Sequence, residues 1–122
     1  MINAFLAVGL GATLGAWSRW GLTSLLNTGL VPMGTLLANL LGGLLMGVAL
    51  AYFTQAPSQN EWRLFIMTGF LGGLTTFSAF SAEAFTLLNQ QHYYLAGMHM
   101  VSHVVGSLIM TAIGFAAWQY FR

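Results

Sequence analysis

The chain has 122 residues, of which 57% are hydrophobic and 4% charged. Water-soluble domains carry about 25% charged residues, so three basic and two acidic side chains cannot clothe a water-facing surface of this size. The same scarcity excludes a basic face for nucleic acid or anionic lipid heads, and the lack of cysteine excludes disulfides, thiolate metal sites and cysteine nucleophiles.

A membrane helix needs ~20 apolar residues to cross the hydrocarbon layer. Four such stretches are predicted, roughly Ala4–Leu26, Gly34–Phe53, Arg63–Leu88 and Tyr94–Phe121. A secretory signal opens on basic residues, and none precedes Arg19, so the first stretch reads as a retained helix. The connections Asn27–Pro32, Thr54–Glu61 and Asn89–His92 are short, which predicts a single four-helix domain over residues 1–122. Trp17, Trp20, Tyr52, Trp62, Tyr93, Tyr94, Trp118 and Tyr120 fall at the span ends, as an interfacial aromatic belt does. Arg63 and Arg122 flank the side carrying the termini and Arg19 lies toward the other. So small a bias hardly orients the chain, and copies inserted both ways and paired antiparallel are expected.

Ala7, Gly11, Gly15 and Arg19 recur every four residues in span one, on one helical face. Small residues allow close helix approach, so this is a packing seam, with Arg19 either turned into protein or reaching the interface. Span two repeats the spacing with Thr35, Asn39, Gly43 and Gly47. Its buried amide suits either a clamp between helices or contact with a solute.

Span three holds the most unusual text, Gly69–Glu83. Gly69, Gly72 and Gly73 each weaken a helix by about 1 kcal/mol relative to Ala, and Thr75, Thr76, Ser78 and Ser81 follow. Either a continuous glycine-rich helix or a break near the midplane fits. A break is tolerated at that depth only where it is buried in protein or lines a wet cavity, and it would free carbonyl oxygens suited to a hard cation. Phe77 and Phe80 share a face beside these hydroxyls; they are lipid or core residues, or turn electropositive ring edges toward an anion. Glu83 is a functional candidate because intramembrane acids are costly, with an ion pair to Arg19 as the structural alternative.

In span four His99, His103, Ser107 and Thr111 stand four apart, a polar line of about 18 Å. It reads as the wall of a hydrated path, unless the hydroxyls bond back to their own helix. Two histidines with no carboxylate or cysteine nearby in sequence make a weak zinc signal. No motif points to chemistry on a covalent bond, so no enzyme is expected.

Together, GATLGAWSRW, GTLLANLLGG, GFLGGLTTFSAFSAE and HVVGSLIMTAIGF resemble the Fluc (CrcB) family of fluoride channels over nearly the whole chain. Ala79 departs from the Thr common in relatives. The resemblance implies an all-α membrane fold with a broken third helix, assembled as a dual-topology antiparallel homodimer with two pores, in the plasma membrane (the bacterial inner membrane). It implies that Asn39 is a pore-facing amide donor, that Phe77 and Phe80 flank fluoride sites, and that Ser78, Ser81, Ser107 and Thr111 form a polar track. Glu83, Arg19 and His103 would belong to the vestibule, and the carbonyls of Gly72 and Thr75 would hold a structural Na⁺ on the dimer axis. A small four-helix multidrug transporter would need a carboxylate in span one, which is absent. A non-transporting assembly subunit would not need the polar line of span four.

Overall fold

The computed structural model describes residues 1–122. It is entirely helical: α1 Ile2–Leu26, α2 Met33–Thr54, α3 Asn60–Arg63, a π-helical segment Leu64–Leu71, α4 Gly72–Leu74, α5 Phe77–Asn89 and α6 Tyr93–Phe121. Three stretches are long and apolar enough to cross a membrane: Met33–Thr54, Asn60–Asn89 and Tyr93–Phe121. The 25 residues of α1 form a helix of similar length, made more polar by Thr13, Ser18, Arg19 and Thr23.

Two close pairs organise the bundle, α1 with the π-helical segment and α4, and α2 with α6; α1 also touches α2, and α5 packs on α6. Glycines set both approaches. A Cβ at Gly15 would meet the carbonyl of Phe70 and lie 2.7 Å from the Leu74 amide, and one at Gly73 would lie 2.5 Å from the Ala12 carbonyl. In the other pair, Gly43 faces the Ser107 carbonyl, Gly47 that of Thr111, and Gly114 that of Leu44. The expected seams on the first two helices are therefore backbone-to-backbone contacts. Between the pairs lies a core of Ala38, Ala49, Phe53, Leu71 and Leu74.

Only 21 residues are buried, and large apolar side chains including Phe5, Leu10, Leu108 and Ile109 face outward. Such a surface is far more apolar than that of a soluble monomer, as befits contact with lipid or with another subunit.

The third helix is broken, not continuous. Thr75 takes an extended backbone (φ −87°, ψ 157°), as does Thr76 (φ −150°, ψ 124°), and the chain resumes as α5 at Phe77. The Thr76 hydroxyl accepts the Ala79 N–H at 3.0 Å, a side-chain cap on the new helix. The Thr75 hydroxyl donates to the Leu71 carbonyl at 2.8 Å and closes the old one. The π-helical winding before the break has no counterpart in the hydrophobic pattern.

Candidate functional site

The break leaves backbone groups that no helical ladder satisfies, and α2 supplies the partner. Asn39 Oδ1 accepts the Thr76 N–H at 2.8 Å, and Asn39 Nδ2 donates to the Thr76 carbonyl at 3.0 Å. The same Nδ2 lies 2.8 Å from His103 Nδ1 on α6. One amide thus ties the broken helix to two others. On α1, Arg19 Nε donates to the Gly73 carbonyl at 3.2 Å, so Arg19 turns into protein.

These groups border a cleft of about 270 Å³, lined by Asn39, Thr75, Thr76, Phe77, Phe80, His103, Val104 and Ser107. Phe80 is buried and its ring stacks on His103, with centroids 4.5 Å apart; Phe77 meets Phe80 edge-on at 5.5 Å. Phe77 is 77% exposed, and Ser78 and Ser81 are also exposed on the surface of the single chain. The Ser78 hydroxyl lies 3.3 Å from that of Thr76.

The polar line of α6 divides. His99 and His103 are buried, and Ser107 borders the cleft. Thr111 does not line it: its hydroxyl is shared between the carbonyls of Gly43 at 3.0 Å and Ser107 at 2.9 Å. The back-bonding alternative therefore holds for Thr111, which clamps α6 to α2.

Glu83 does not pair with Arg19. The Thr35 hydroxyl, itself receiving the Asn27 amide at 3.1 Å, donates to Glu83 Oε2 at 2.6 Å. Glu83 Oε1 lies 3.3 Å from His99 Nε2. Glu83 also borders a second pocket of about 300 Å³ with Gly29, Pro32 and Thr86, beside the α1–α2 turn. Asn27 thus joins Thr35 and His99 around Glu83, a contact that the sequence does not anticipate. Thr35 and His99 stand on the four-residue stripes with Asn39 and His103, whereas Asn27, in a turn, carries no periodic signal.

Two arrangements bear on cations. Glu83, His99 and His103 offer ligand atoms within 4.8 Å of one another, so folding supplies the carboxylate that the histidine pair lacks in sequence. At the break, the Thr76 N–H that would bond the Gly72 carbonyl in a continuous helix goes to Asn39 instead. Gly72 is exposed, and a Cβ there would meet only the Met67 carbonyl, at 3.8 Å. The Gly72 and Thr75 carbonyls have the hard-oxygen chemistry that suits a cation such as Na⁺.

The family model described as CrcB-like protein, Camphor Resistance (CrcB) matches residues 6–115. Curated relatives include the fluoride-specific ion channel FluC of Pseudomonas putida (strain W619), 51% identical over 98% of this chain and 97% of the relative. Those of Tolumonas auensis and Pseudomonas paraeruginosa (strain DSM 24068 / PA7) bear the same name. The first is 54% identical over 95% of this chain and 94% of its own, the second 55% over 98% and 97%. With a family model spanning most of its length and relatives matched nearly end to end, the chain belongs to the CrcB family.

Proposed function

We propose that this protein is a fluoride channel, not an enzyme, that lets cytoplasmic fluoride leave passively through the membrane. The observation carrying this reading is the cleft at the break, bordered by Asn39, the hydroxyl residues Thr76 and Ser107 and the rings of Phe77 and Phe80, with no acid, lysine or arginine among its lining residues. The relatives' name supplies the ion.

Fluoride is small and holds water tightly, so its route must offer many partners in place of hydration. Neutral donors and ring edges do this weakly and repeatedly, and conduction requires binding weak enough to permit exit. A fixed cation in the path would hold the ion, and Arg19, the one arginine of α1, is not among the residues lining the cleft. With a negative cell interior, the potential favours anion exit by about 2.3 kcal/mol per charge per 100 mV.

In this reading the chain has four spans, α1 included, and functions as an antiparallel homodimer with two pores in the bacterial inner membrane. Phe77, Ser78 and Ser81, exposed on one subunit, complete each pore against the partner. Carbonyls of Gly72 and Thr75 from both copies hold the structural Na⁺, which adds positive potential near the path. Glu83 and His103 mark the passage from the outer pocket to the cleft.

Fluoride efflux from liposomes containing the purified protein, with chloride as control, tests the proposal. Fast fluoride loss with no chloride loss is expected; absent fluoride flux or equal chloride flux defeats it. Accessibility tagging of the C-terminus should find copies facing both sides, and a single orientation removes the antiparallel dimer.

A further inference from the structure

Four polar side-chain atoms are buried together between α5 and α6, and none has a hydrogen-bond partner: Glu83 Oε1, both nitrogens of His99, and His103 Nε2. Buried polar groups in native proteins are almost always satisfied, so such a cluster calls for a missing ligand. His99 is the extreme case, with its side chain 1% exposed and neither ring nitrogen engaged.

The spacing points to the ligand. Glu83 Oε1 and His99 Nε2 lie 3.3 Å apart, longer than the about 2.7–2.9 Å of a charge-assisted hydrogen bond. Two ligands of a tetrahedral ion, each bound at about 2.0–2.2 Å, stand roughly 3.4 Å from one another. The pair is thus set as one edge of a coordination tetrahedron. The ligand atom of His103 lies within 4.8 Å of both. Drawing it in by roughly an ångström completes a set of two imidazoles and a carboxylate, with a fourth tetrahedral position open. Imidazole selects Zn²⁺ and similar ions over Mg²⁺ and Ca²⁺, which prefer oxygen.

The surroundings hold these groups in place. The Thr35 hydroxyl donates to Glu83 Oε2 and receives the Asn27 amide, which fixes Oε2 and leaves Oε1 toward His99. Metal-binding carboxylates and imidazoles are oriented by outer partners of this kind. Phe80 packs on both imidazoles, with ring centroids 5.4 Å from His99 and 4.5 Å from His103. The pocket of about 300 Å³ beside the α1–α2 turn, which Glu83 borders, gives a way in. Coordination through His103 Nε2 places that ring's proton on Nδ1, so its 2.8 Å contact with Asn39 Nδ2 opens as the ion binds. His103 is therefore the adjustable ligand, and Glu83 and His99 are the anchors.

We infer that Glu83 Oε1, His99 Nε2 and His103 Nε2 form a site for one divalent transition-metal ion of the Zn²⁺ kind. The site shares no residue with the carbonyls of Gly72 and Thr75 and does not rest on the fluoride reading. A filled site ties α5 to α6 and sets positive charge between the outer pocket and the cleft.

Equilibrium dialysis of untagged, chelator-treated protein in detergent against Zn²⁺ or Co²⁺ tests the site. One ion per chain is expected, and the cobalt form should show the strong visible bands of four-coordinate Co²⁺, lost on adding Zn²⁺ but not on adding excess Mg²⁺ or Ca²⁺. His99→Ala and Glu83→Gln should each weaken binding by about tenfold or more, and Thr35→Val by about tenfold through the carboxylate it holds. His92→Gln, at an exposed residue outside the cluster, should leave binding unchanged. No binding, a six-coordinate cobalt spectrum, or binding that survives His99→Ala and Glu83→Gln overturns the inference.

A variant that fails to fold does not shield the idea, because the unaltered protein gives an independent reading. With ¹⁵N-labelled histidine, Zn²⁺ should shift the imidazole nitrogens of two of the three histidines, and any other number overturns the inference. Fluoride plays no part in these measurements. A chain that binds the ion and conducts no fluoride defeats the channel reading alone.

Discussion

Asn39 and Thr76 are bound to each other twice: the side-chain amide of one pairs with both the N–H and the C=O of the other, at 2.8 and 3.0 Å. It is the contact a neighbouring strand would make, supplied here by one side chain. It accounts for how a helix can be interrupted without leaving polar backbone bare.

Removing that amide should therefore be costly. Asn39→Ala leaves the half-buried Thr76 N–H and carbonyl and His103 Nδ1 without their partner, and an unsatisfied group costs about 1–3 kcal/mol when fully buried. Thermal unfolding in detergent should show a clear loss of stability, and an unchanged midpoint would mean that solvent or lipid satisfies Thr76.

The glycines of α1 are not equivalent. Gly15→Ala places a methyl group against the Phe70 carbonyl and the Leu74 amide, and forced overpacking costs about 1–3 kcal/mol. A methyl group at Gly9 would find nothing within 4 Å, so Gly9→Ala should gain up to about 1 kcal/mol of helix stability. Opposite shifts in melting temperature are expected from these two substitutions on one helix.

Gln91 joins α5 to α6 with φ 64°, the left-handed backbone that glycine adopts freely. The His92 N–H reaches back to the Leu87 carbonyl at 2.8 Å and fixes this turn. A non-glycine residue pays about 1–2 kcal/mol there, so Gln91→Gly should raise the unfolding midpoint. A fall would show that the Gln91 side chain makes a contact worth more than the strain.

The two phenylalanines should respond differently. Phe80 is 7% exposed and packs on His103, His99 and Phe77, whereas Phe77 is 77% exposed. Phe80→Leu should lower fluoride efflux and stability together, since a ring–ring contact of this kind contributes about 0.5–1.5 kcal/mol beyond its buried area and His103 loses the ring stacked on it. Phe77→Ala should leave the single-chain fold intact and weaken dimerisation, measured by dilution in lipid. Loss of folding in Phe77→Ala would contradict its exposed position.

Much of this was legible in the residues. Four-residue spacing marked the α1 seam at Gly11 and Gly15, and the same period aligned Asn39 with Thr35 and His99 with His103. The run from Gly69 to Glu83 marked where a break could fall, because its glycines weaken the helix, but a continuous helix fitted the same residues until the backbone at Thr75 and Thr76 was seen. The π-helical segment was not legible, since one extra residue per turn leaves no trace in so uniformly apolar a stretch. Neither was the role of Asn27, whose amide acts on Thr35 across a turn.

By itself the sequence determined the setting and the faces: composition placed the chain in lipid, and helical periodicity assigned polar and small residues to stripes. Periodicity reports only which side of its own helix a residue occupies. Which hydrogen-bonding groups are used up and which stay free depends on partners far along the chain, and only the tertiary structure decided that. Asn39 meets Thr76 and His103 across separations of 37 and 64 residues, and Glu83 meets Thr35 across 48. A group is available to an ion only after such pairings are made, and the spacing of residues along one helix does not report them.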